Sequence, residues 1–467
     1  MIPDTRKTGY SPITAEIRDK IAAIPGLRLI EDPEKLEDFG RDGTPHAFHL
    51  PELVVEASDV AQIQELLRLA NRLHFPVTPR GYGTGLAGGA LPVLGGVVLS
   101  LLKLNRILAI EPRNMIAVIE PGVLNLDLKN AVREHGLFYP PDPASNDTCS
   151  VGGNVATNAG GPACVKYGTT RDYVLGLEAV LPSGELITTG VRTRKGVVGY
   201  DMTKLLVGSE GTLGVITKLI LKLIPHPAAV TTIVAVFPEL PSAMEAVTTI
   251  LMRGHIPSAM EFMDYRCLEL IGELLPFEKT TKAGAMLLIE QDGDPELIQT
   301  EIEQIGELCL EQGAGDVILA PDSARRTRMW NVRKEVSERI EKSSAYDVHE
   351  DIVVPVGSIA DLVGMLPGYE RRFDMKTYCF GHAGDGNIHL NITADSREAA
   401  GRVETGVREI LERVIAMGGT ISGEHGVGFA KQRFLPLELS SGSIHLQRGI
   451  KELFDPNLIL NPGKLFA

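Results

Sequence analysis

Short apolar runs alternate with amphipathic stretches between residues 52 and 110. ELVVEA reads as a strand, SDVAQIQELLRLANRLHF sets its apolar side chains at helical spacing behind Ser58 as N-cap, and FPVTPRG returns to a strand. This is an α/β unit. The next stretch, PRGYGTGLAGGALPVLGGVVLSL, packs seven glycines into residues 81–96 and ends in the buried-strand run VVLSL. Further on, LEAVLPSGELITTG predicts a hairpin turning at Ser183-Gly184, and LLVGSEGTLGVITKLILKL predicts a glycine turn feeding another strand. Pro225 and Pro227 mark a domain boundary. Behind them the strands TTIVAVF and GAMLLIEQDG alternate with the helical patterns SAMEAVTTILMRG and ELIQTEIEQIGELCLEQG. That alternation predicts an α+β domain with an antiparallel or mixed sheet and helices on one face. SIHLQRGIKELFDP is a last helix before NLILNPGKLFA.

Composition narrows the function classes. The 467 residues, 44% of them hydrophobic, allow two or three domains with an ample core. Lys and Arg number 46 against 60 Asp and Glu, a net charge of −14, and no local basic patch stands out, so no nucleic-acid partner is expected. The first twenty residues lack the apolar core of a secretory signal, and Gly, Pro or charge interrupts every apolar stretch before it could span a bilayer. The expectation is a cytoplasmic protein with no transmembrane segment. Five cysteines stand far apart without a CxxC, which argues against a disulfide framework or an iron–sulfur cluster. Any electrons this chain handles need another carrier.

The glycine stretch offers one. Gly83, Gly85 and Gly88 match GxGxxG, but Pro92 and the Gly95-Gly96 pair forbid the helix that a nicotinamide-dinucleotide fingerprint must open, and Leu102 to Arg106 supplies no acid. What remains is a loop between strands whose free backbone N–H groups can wrap an anion. A plain surface loop would explain it equally, were there not a second one. Residues 140–174, PPDPASNDTCSVGGNVATNAGGPACVKYGTTRDYV, are again rich in Gly, Ser, Thr and Asn and bracketed by strand-like segments. Two such loops in one domain predict a single extended ligand carrying phosphates.

A different chemistry gathers at GHAGDGNIHLN, residues 381–391. Asp385-Gly386 is a two-residue hairpin signal; it would pair Gly384 with Asn387, Ala383 with Ile388, and His382 with His389. Opposed residues share a sheet face with Cβ atoms roughly 5 Å apart, and Asn391 points the same way as His389. Two imidazoles and an amide then converge, which is half a metal site or equally a pair of hydrogen-bonded core histidines. Glu424-His425 in GEHGVG offers the carboxylate of a His/His/carboxylate set suited to zinc, manganese or iron. A metal-dependent hydrolase would fit that set while leaving both glycine loops unexplained.

Taken together, PRGYGTGLAGG, SVGGNVATNAGG, GSEGTLGVIT, GHAGDGNIHLN, GEHGVG and DPNLILNPGK resemble the vanillyl-alcohol oxidase superfamily of flavoenzymes, in the branch of D-lactate dehydrogenases, glycolate oxidase flavin subunits and D-2-hydroxyglutarate dehydrogenases. The resemblance implies a two-part FAD-binding domain over 1–225, an α+β substrate (cap) domain with a mainly antiparallel sheet over 226–415, and a segment 416–467 returning to the FAD domain. It implies FAD contacts from Pro79, Arg80, Gly81, Gly83, Thr84, Gly85 and Gly88, and from Pro141 and Asp142. Further contacts would come from Gly152, Gly153, Asn154, Thr157, Asn158, Gly160, Gly161 and Gly168, and from Gly211, Gly214, Val215, Ile216 and Asn461. RGYGTGLAG lacks the histidine through which many superfamily members attach flavin, so noncovalent FAD is expected.

By the same resemblance His382, His389 and Glu424 bind a divalent metal, zinc ahead of manganese or iron, His425 is the catalytic base, and Asn391 contacts substrate. Glu424 and His425 can both face one site only on an irregular backbone, which Gly423, Gly426 and Gly428 permit. Arg333, in the helical stretch SARRTRMWNVRKEVSERI, falls where the family pairs an arginine with the substrate carboxylate, although a helix arginine is ordinarily a solvated charge. His349 in HEDIVVP stands near where dicarboxylate-oxidising relatives have a lysine, which favours a small monocarboxylate. The implied reaction oxidises a D-2-hydroxy acid, D-lactate first and glycolate next, to its 2-keto acid by hydride transfer to flavin N5. The implied partners are an electron acceptor, whether quinone, iron–sulfur protein, electron-transferring flavoprotein or cytochrome, and a second copy of the chain. Peripheral membrane association would come only through the acceptor. Two alternatives stay open: a flavin subunit active only in a larger glycolate or lactate dehydrogenase complex, and a D-2-hydroxyglutarate dehydrogenase.

Overall fold

The structure, a computed structural model, describes residues 9–275 and 283–466. The chain divides into two compact units: Met1–Gly160, Thr169–His226 and Glu424–Ala467 form the first, and Gly161–Gly168 with Pro227–Gly423 the second. The division after His226 lies between Pro225 and Pro227, residues 161–168 go with the second unit, and the chain returns to the first at Glu424, not at residue 416.

The first unit opens with β1 (Arg28–Ile30), β2 (Leu53–Glu56), α1 (Val60–Leu73), β3 (Val77–Arg80) and β4 (Val97–Ser100). Both β2 and β3 run parallel to β4, and β1 adds antiparallel at the edge. Helix α1 buries Ile63, Leu66, Leu67 and Ala70, the i, i+3, i+4, i+7 stripe, among Leu53, Val55, Val77, Val97 and Leu99. Its N-cap is Asp59, whose carboxylate accepts from Ala61 N–H, and not Ser58 as the sequence suggested. Ser58 N–H instead donates to Gln62 Oε1 at 2.9 Å, so the chain enters the helix one residue later. The C-terminal segment lies alongside β3, with Val77 N–H donating to Ile459 O and Asn461 N–H to Val77 O, each at 2.8 Å.

A second sheet of this unit comprises β5 (Ile107–Glu111), β6 (Ile116–Ile119), β7 (Val174–Val180), β8 (Leu186–Gly190) and β9 (Val215–Lys222), in the order β5-β6-β9-β7-β8, all antiparallel. The predicted hairpin is β7–β8, with Val180 opposite Leu186 and Gly184 at φ +81° in the connection. The second glycine-rich stretch contains a helix that its composition hid, α2 (Val151–Thr157). Ser150 caps it by accepting from Gly153 N–H, and Asn158 ends it in the left-handed region at φ 54°. No helix interrupts the first glycine loop between β3 and β4, in keeping with the rejected dinucleotide fingerprint.

The second unit is built on a seven-stranded sheet. Its strands are β10 (Ala229–Phe237), β11 (Ala259–Asp264), β12 (Ala285–Gly293), β13 (Asp316–Leu319), β14 (Tyr346–Val353), β15 (Lys376–His382) and β16 (Asn387–Ala394). They are ordered β13-β10-β12-β11-β15-β16-β14, and every pairing is antiparallel. The helices are α3 (Leu240–Met252), α4 (Tyr265–Leu270), α5 (Ile298–Glu311) and α6 (Ser323–Lys342). Two more, α7 (Ile359–Phe373) and α8 (Ala400–Ala416), follow.

Helices on one face was the expectation; the structure covers both. Gly306 of α5 approaches Ile233, whereas α6 buries Met329, Val332, Val336 and Ile340 against Val234, Val236, Met286, Leu288 and Phe380. Ile233 and Val234 are adjacent on β10 and point to opposite faces, so α5 and α6 sandwich the sheet. Truncating this second layer should be costly. Ile340→Ala is expected to lower unfolding stability by about 2–5 kcal/mol, read from the denaturant midpoint of the purified protein.

Candidate functional site

In the first unit the two glycine-rich stretches and the GSEGTLGVIT turn line one cavity of about 240 Å³. The lining includes Pro79, Arg80, Gly81, Gly83, Thr84 and Gly85 from the first stretch, and Gly152, Gly153, Asn154, Thr157 and Gly160 from the second. Gly211, Gly214, Val215 and Ile216 close it. A side chain at Gly81 would collide with Ser150 Oγ, so only glycine lets the first loop meet the cap of α2, while a Cβ on Gly85 would meet nothing within 4 Å. The backbone therefore faces open space, the cradle that a phosphate-bearing ligand such as FAD requires.

Other sequence-assigned contacts stand elsewhere. Gly88 packs against Phe429, Asp142 forms an ion pair with Lys129, and Pro141 O accepts from Asn125 Nδ2. Asn158 caps α2 and accepts from Arg171 N–H. Asn461 Nδ2 donates to Gly89 O and Glu210 O, and Gly161 and Gly168 belong to the second unit.

Glu424 and His425 line the same cavity, with His425 Nε2 3.8 Å from Glu424 Oε1. The irregular backbone anticipated for GEHGVG is present: Gly426 has φ +86° and Gly428 φ +50°. Sequence reading missed the group that holds it. Glu210, buried, accepts from Val427 N–H at 2.8 Å and Gly428 N–H at 2.7 Å. Burial raises its pKa, and those two N–H groups and Lys464 pull the other way. The one signal was its place as the only charge in GSEGTLGVIT.

Lys464 is itself buried, donating to Leu91 O at 2.6 Å, and burial pushes its pKa down to about 7 against the opposing pull of Asp42 and Glu210. Between about pH 7 and the ordinary 10.5 the unfolded chain thus binds the proton more tightly, so stability should rise with pH across that window. Lys464→Met is expected to flatten this rise in a plot of Tm against pH; an unchanged slope would count against a buried ammonium.

The second unit carries the hairpin, and its register differs from the sequence reading. His382 pairs with Asn387 and Phe380 with His389, so the connection spans residues 383–386 instead of a two-residue turn. Ala383 N–H donates to Met260 O at 2.7 Å, which draws that residue out of the predicted pairing. The shift is by two positions and preserves the face. His382 and His389 are diagonal neighbours, Nε2 to Nε2 3.3 Å, with rings perpendicular and centroids 5.0 Å apart. Asn391 lies on the same face, opposite His349, whose Nε2 is 3.0 Å from Asp347 Oδ2.

Two carboxylates on this face escaped the sequence reading. Glu261 on β11 is opposite His382 and fully buried; its Oε1 lies 2.5 Å from His382 Nδ1 and its Oε2 accepts from Arg333 Nε at 2.8 Å. Burial would raise its pKa, but His382 and Arg333 together hold it below the ordinary carboxylate value. Asp351, also fully buried, faces His389 and accepts from Asn387 Nδ2, Ser422 Oγ and Gly423 N–H at 2.7, 3.2 and 2.9 Å. Arg333 is 9% exposed with its guanidinium 4.3 Å over the Phe380 ring, so it is no solvated surface charge. The unit thus gathers two imidazoles, an amide and a guanidinium on one sheet face, donors suited to a metal and a carboxylate.

Two family descriptions match the chain. The description "FAD binding domain" matches residues 51–190, and "FAD linked oxidases, C-terminal domain" matches residues 226–465. The chain is 38% identical to glycolate oxidase subunit GlcD of Bacillus subtilis (strain 168), over 97% of each chain. It is 39% identical to D-lactate dehydrogenase of Anaerostipes hadrus, over 98% of each. Among solved structures, p-cresol methylhydroxylase superimposes with a TM-score of 0.77 over 96% of each chain at 19% identity, a likeness of fold. Among the described residues no helix is long and apolar enough to cross a membrane.

Proposed function

This chain belongs to the FAD-linked oxidases, and we propose that it oxidises a small D-2-hydroxy acid, D-lactate ahead of glycolate, to the 2-keto acid. The observation that carries this reading is the shared face of His382, His389, Asn391 and the buried Arg333. A 2-hydroxy acid presents a carboxylate beside a weakly acidic hydroxyl, and this face offers a planar fork for the first and paired imidazoles for the second. Bound FAD would supply the hydride acceptor.

The donor set suits a divalent metal, zinc ahead of manganese or iron. His382 Nδ1 is engaged by Glu261, which turns its Nε2 toward His389 Nε2. Glu424 is our third ligand; it directly follows Gly423, whose N–H is held by Asp351 opposite His389. Such an ion would act as a Lewis acid on the hydroxyl, lowering its pKa. Glu210 holds the turn that carries His425 through Val427 and Gly428, and His425 would accept the hydroxyl proton on a ring nitrogen. Arg333 would hold the carboxylate through its two terminal amino groups and fix which hydrogen is presented. His349, paired with Asp347 opposite Asn391, gives no ammonium for a second carboxylate, which supports a monocarboxylate over 2-hydroxyglutarate.

The test is a panel of D- and L-2-hydroxy acids with a dye acceptor, run with and without chelator. D-lactate turnover that chelation abolishes is the expected result; turnover indifferent to chelation would remove the metal from the account. FAD should be held without a covalent bond, because the first loop has no histidine. Acid precipitation is expected to leave the yellow colour in the supernatant, and colour in the pellet would refute this. A second reading, a flavin subunit active only within a complex, is favoured by the word "subunit" in the name of the Bacillus subtilis relative. Under it the isolated chain would be yellow yet turn over none of the panel.

A further inference from the structure

Glu261 is the sole carboxylate between Ala259 and Met263 on a strand whose six residues are all buried. A charge there, fully removed from water, persists only if partners compensate it from both sides. The partners are the two groups that the proposed reaction needs most. Oε1 meets His382 Nδ1 at 2.5 Å and Oε2 meets Arg333 Nε at 2.8 Å.

We propose that Glu261 is a positioning residue that couples the hydroxyl-binding and carboxylate-binding ends of the substrate site, a proposal that rests on the 2-hydroxy-acid reading. An ionised carboxylate only accepts, so the His382 hydrogen sits on Nδ1 and the Nε2 lone pair is turned toward His389 Nε2, 3.3 Å away. On the other side, the carboxylate takes Arg333 Nε and the guanidinium carbon lies 4.3 Å from the Phe380 ring centroid, which leaves the terminal amino groups for a substrate carboxylate. One side chain thus fixes both the orientation of the imidazole and that of the fork, and with them the spacing at which the two ends of a 2-hydroxy acid are received. A Gln at this position keeps the shape but can accept on one side only and would present its NH₂ group to one of two donors.

The signature is a double effect from a single change. Zinc affinity of the FAD-loaded protein is measured by equilibrium dialysis, and carboxylate affinity by competitive inhibition with pyruvate. His389→Ala is expected to move chiefly the zinc constant and Arg333→Lys chiefly the pyruvate constant, whereas Glu261→Gln should weaken zinc about 10- to 100-fold and weaken pyruvate as well. Glu261→Asp keeps the buried charge and guards against a misfolded Gln variant; it should retain FAD and show smaller losses in both constants. If Glu261→Gln keeps its FAD and both constants match the wild type, or only one of them moves, the coupling role is refuted while D-lactate turnover by the wild type leaves the functional reading standing. Wild-type protein that takes up no zinc and oxidises no 2-hydroxy acid would overturn the functional reading and this proposal together.

Discussion

His389→Ala protein should keep its FAD, lose its metal and lose activity by at least about 10³-fold, since Lewis-acid stabilisation worth several kcal/mol disappears at roughly 1.4 kcal/mol per decade. The flavin stays because the cavity lined by both glycine stretches belongs to the first unit, and His389 to the second. Removing one of two imidazoles 3.3 Å apart leaves His382 Nε2 and one carboxylate, too few donors for zinc. His425→Ala is the contrasting change. Its metal should remain while kcat falls roughly 10²- to 10⁴-fold, the range for a lost general base. Elemental analysis alongside flavin absorbance separates the two, and stoichiometric metal in the His389→Ala protein would reduce the hairpin pair to a structural contact.

Arg333→Lys keeps the charge and removes the planar fork. The lysine cannot reproduce both the Glu261 contact at 2.8 Å and a bidentate grip on substrate. One charge-assisted hydrogen bond is worth about 1.5–3 kcal/mol, so kcat/KM should fall about 10- to 100-fold with flavin content unchanged. Full activity would return Arg333 to a packing role.

The sequence carried the periodic features of the fold well and the long-range ones poorly. Helix α1 was readable from its apolar stripe, with an error of one residue at the cap, because Ser58 and Asp59 are both good cap residues and only the Ser58 to Gln62 bond decides between them. The facing of His382, His389 and Asn391 survived a wrong register because a slip of two positions leaves side chains on the same face of a sheet. Helix α2 was lost in its own composition, since VGGNVAT is read as loop until Ser150 and Asn158 are seen as its two caps. Opposite faces of the second sheet could not be assigned to α5 and α6 from periodicity, because both helices show an apolar stripe and neither stripe names its partner. Glu261, Asp351 and Glu210 share one reason for escaping notice. Glu261 and Glu210 are single acids in an apolar and a glycine-rich run, Asp351 stands beside Glu350, and the importance of each lies in partners far along the chain: Arg333 and His382 for Glu261, Val427 and Gly428 for Glu210, Ser422 and Gly423 for Asp351.

The activity proposed for this chain is hydride abstraction from a D-2-hydroxy acid. Anaerobic titration of the purified, metal-loaded protein with D-lactate, followed in the visible flavin absorbance, tests it without any electron acceptor or partner subunit. Bleaching of the flavin band by D-lactate, little bleaching by L-lactate, slower bleaching at higher D-lactate in the Arg333→Lys protein and loss of the response in the His389→Ala protein are the predicted results. A flavin band that no 2-hydroxy acid bleaches, or one that L-lactate bleaches as readily as D-lactate, would contradict the account.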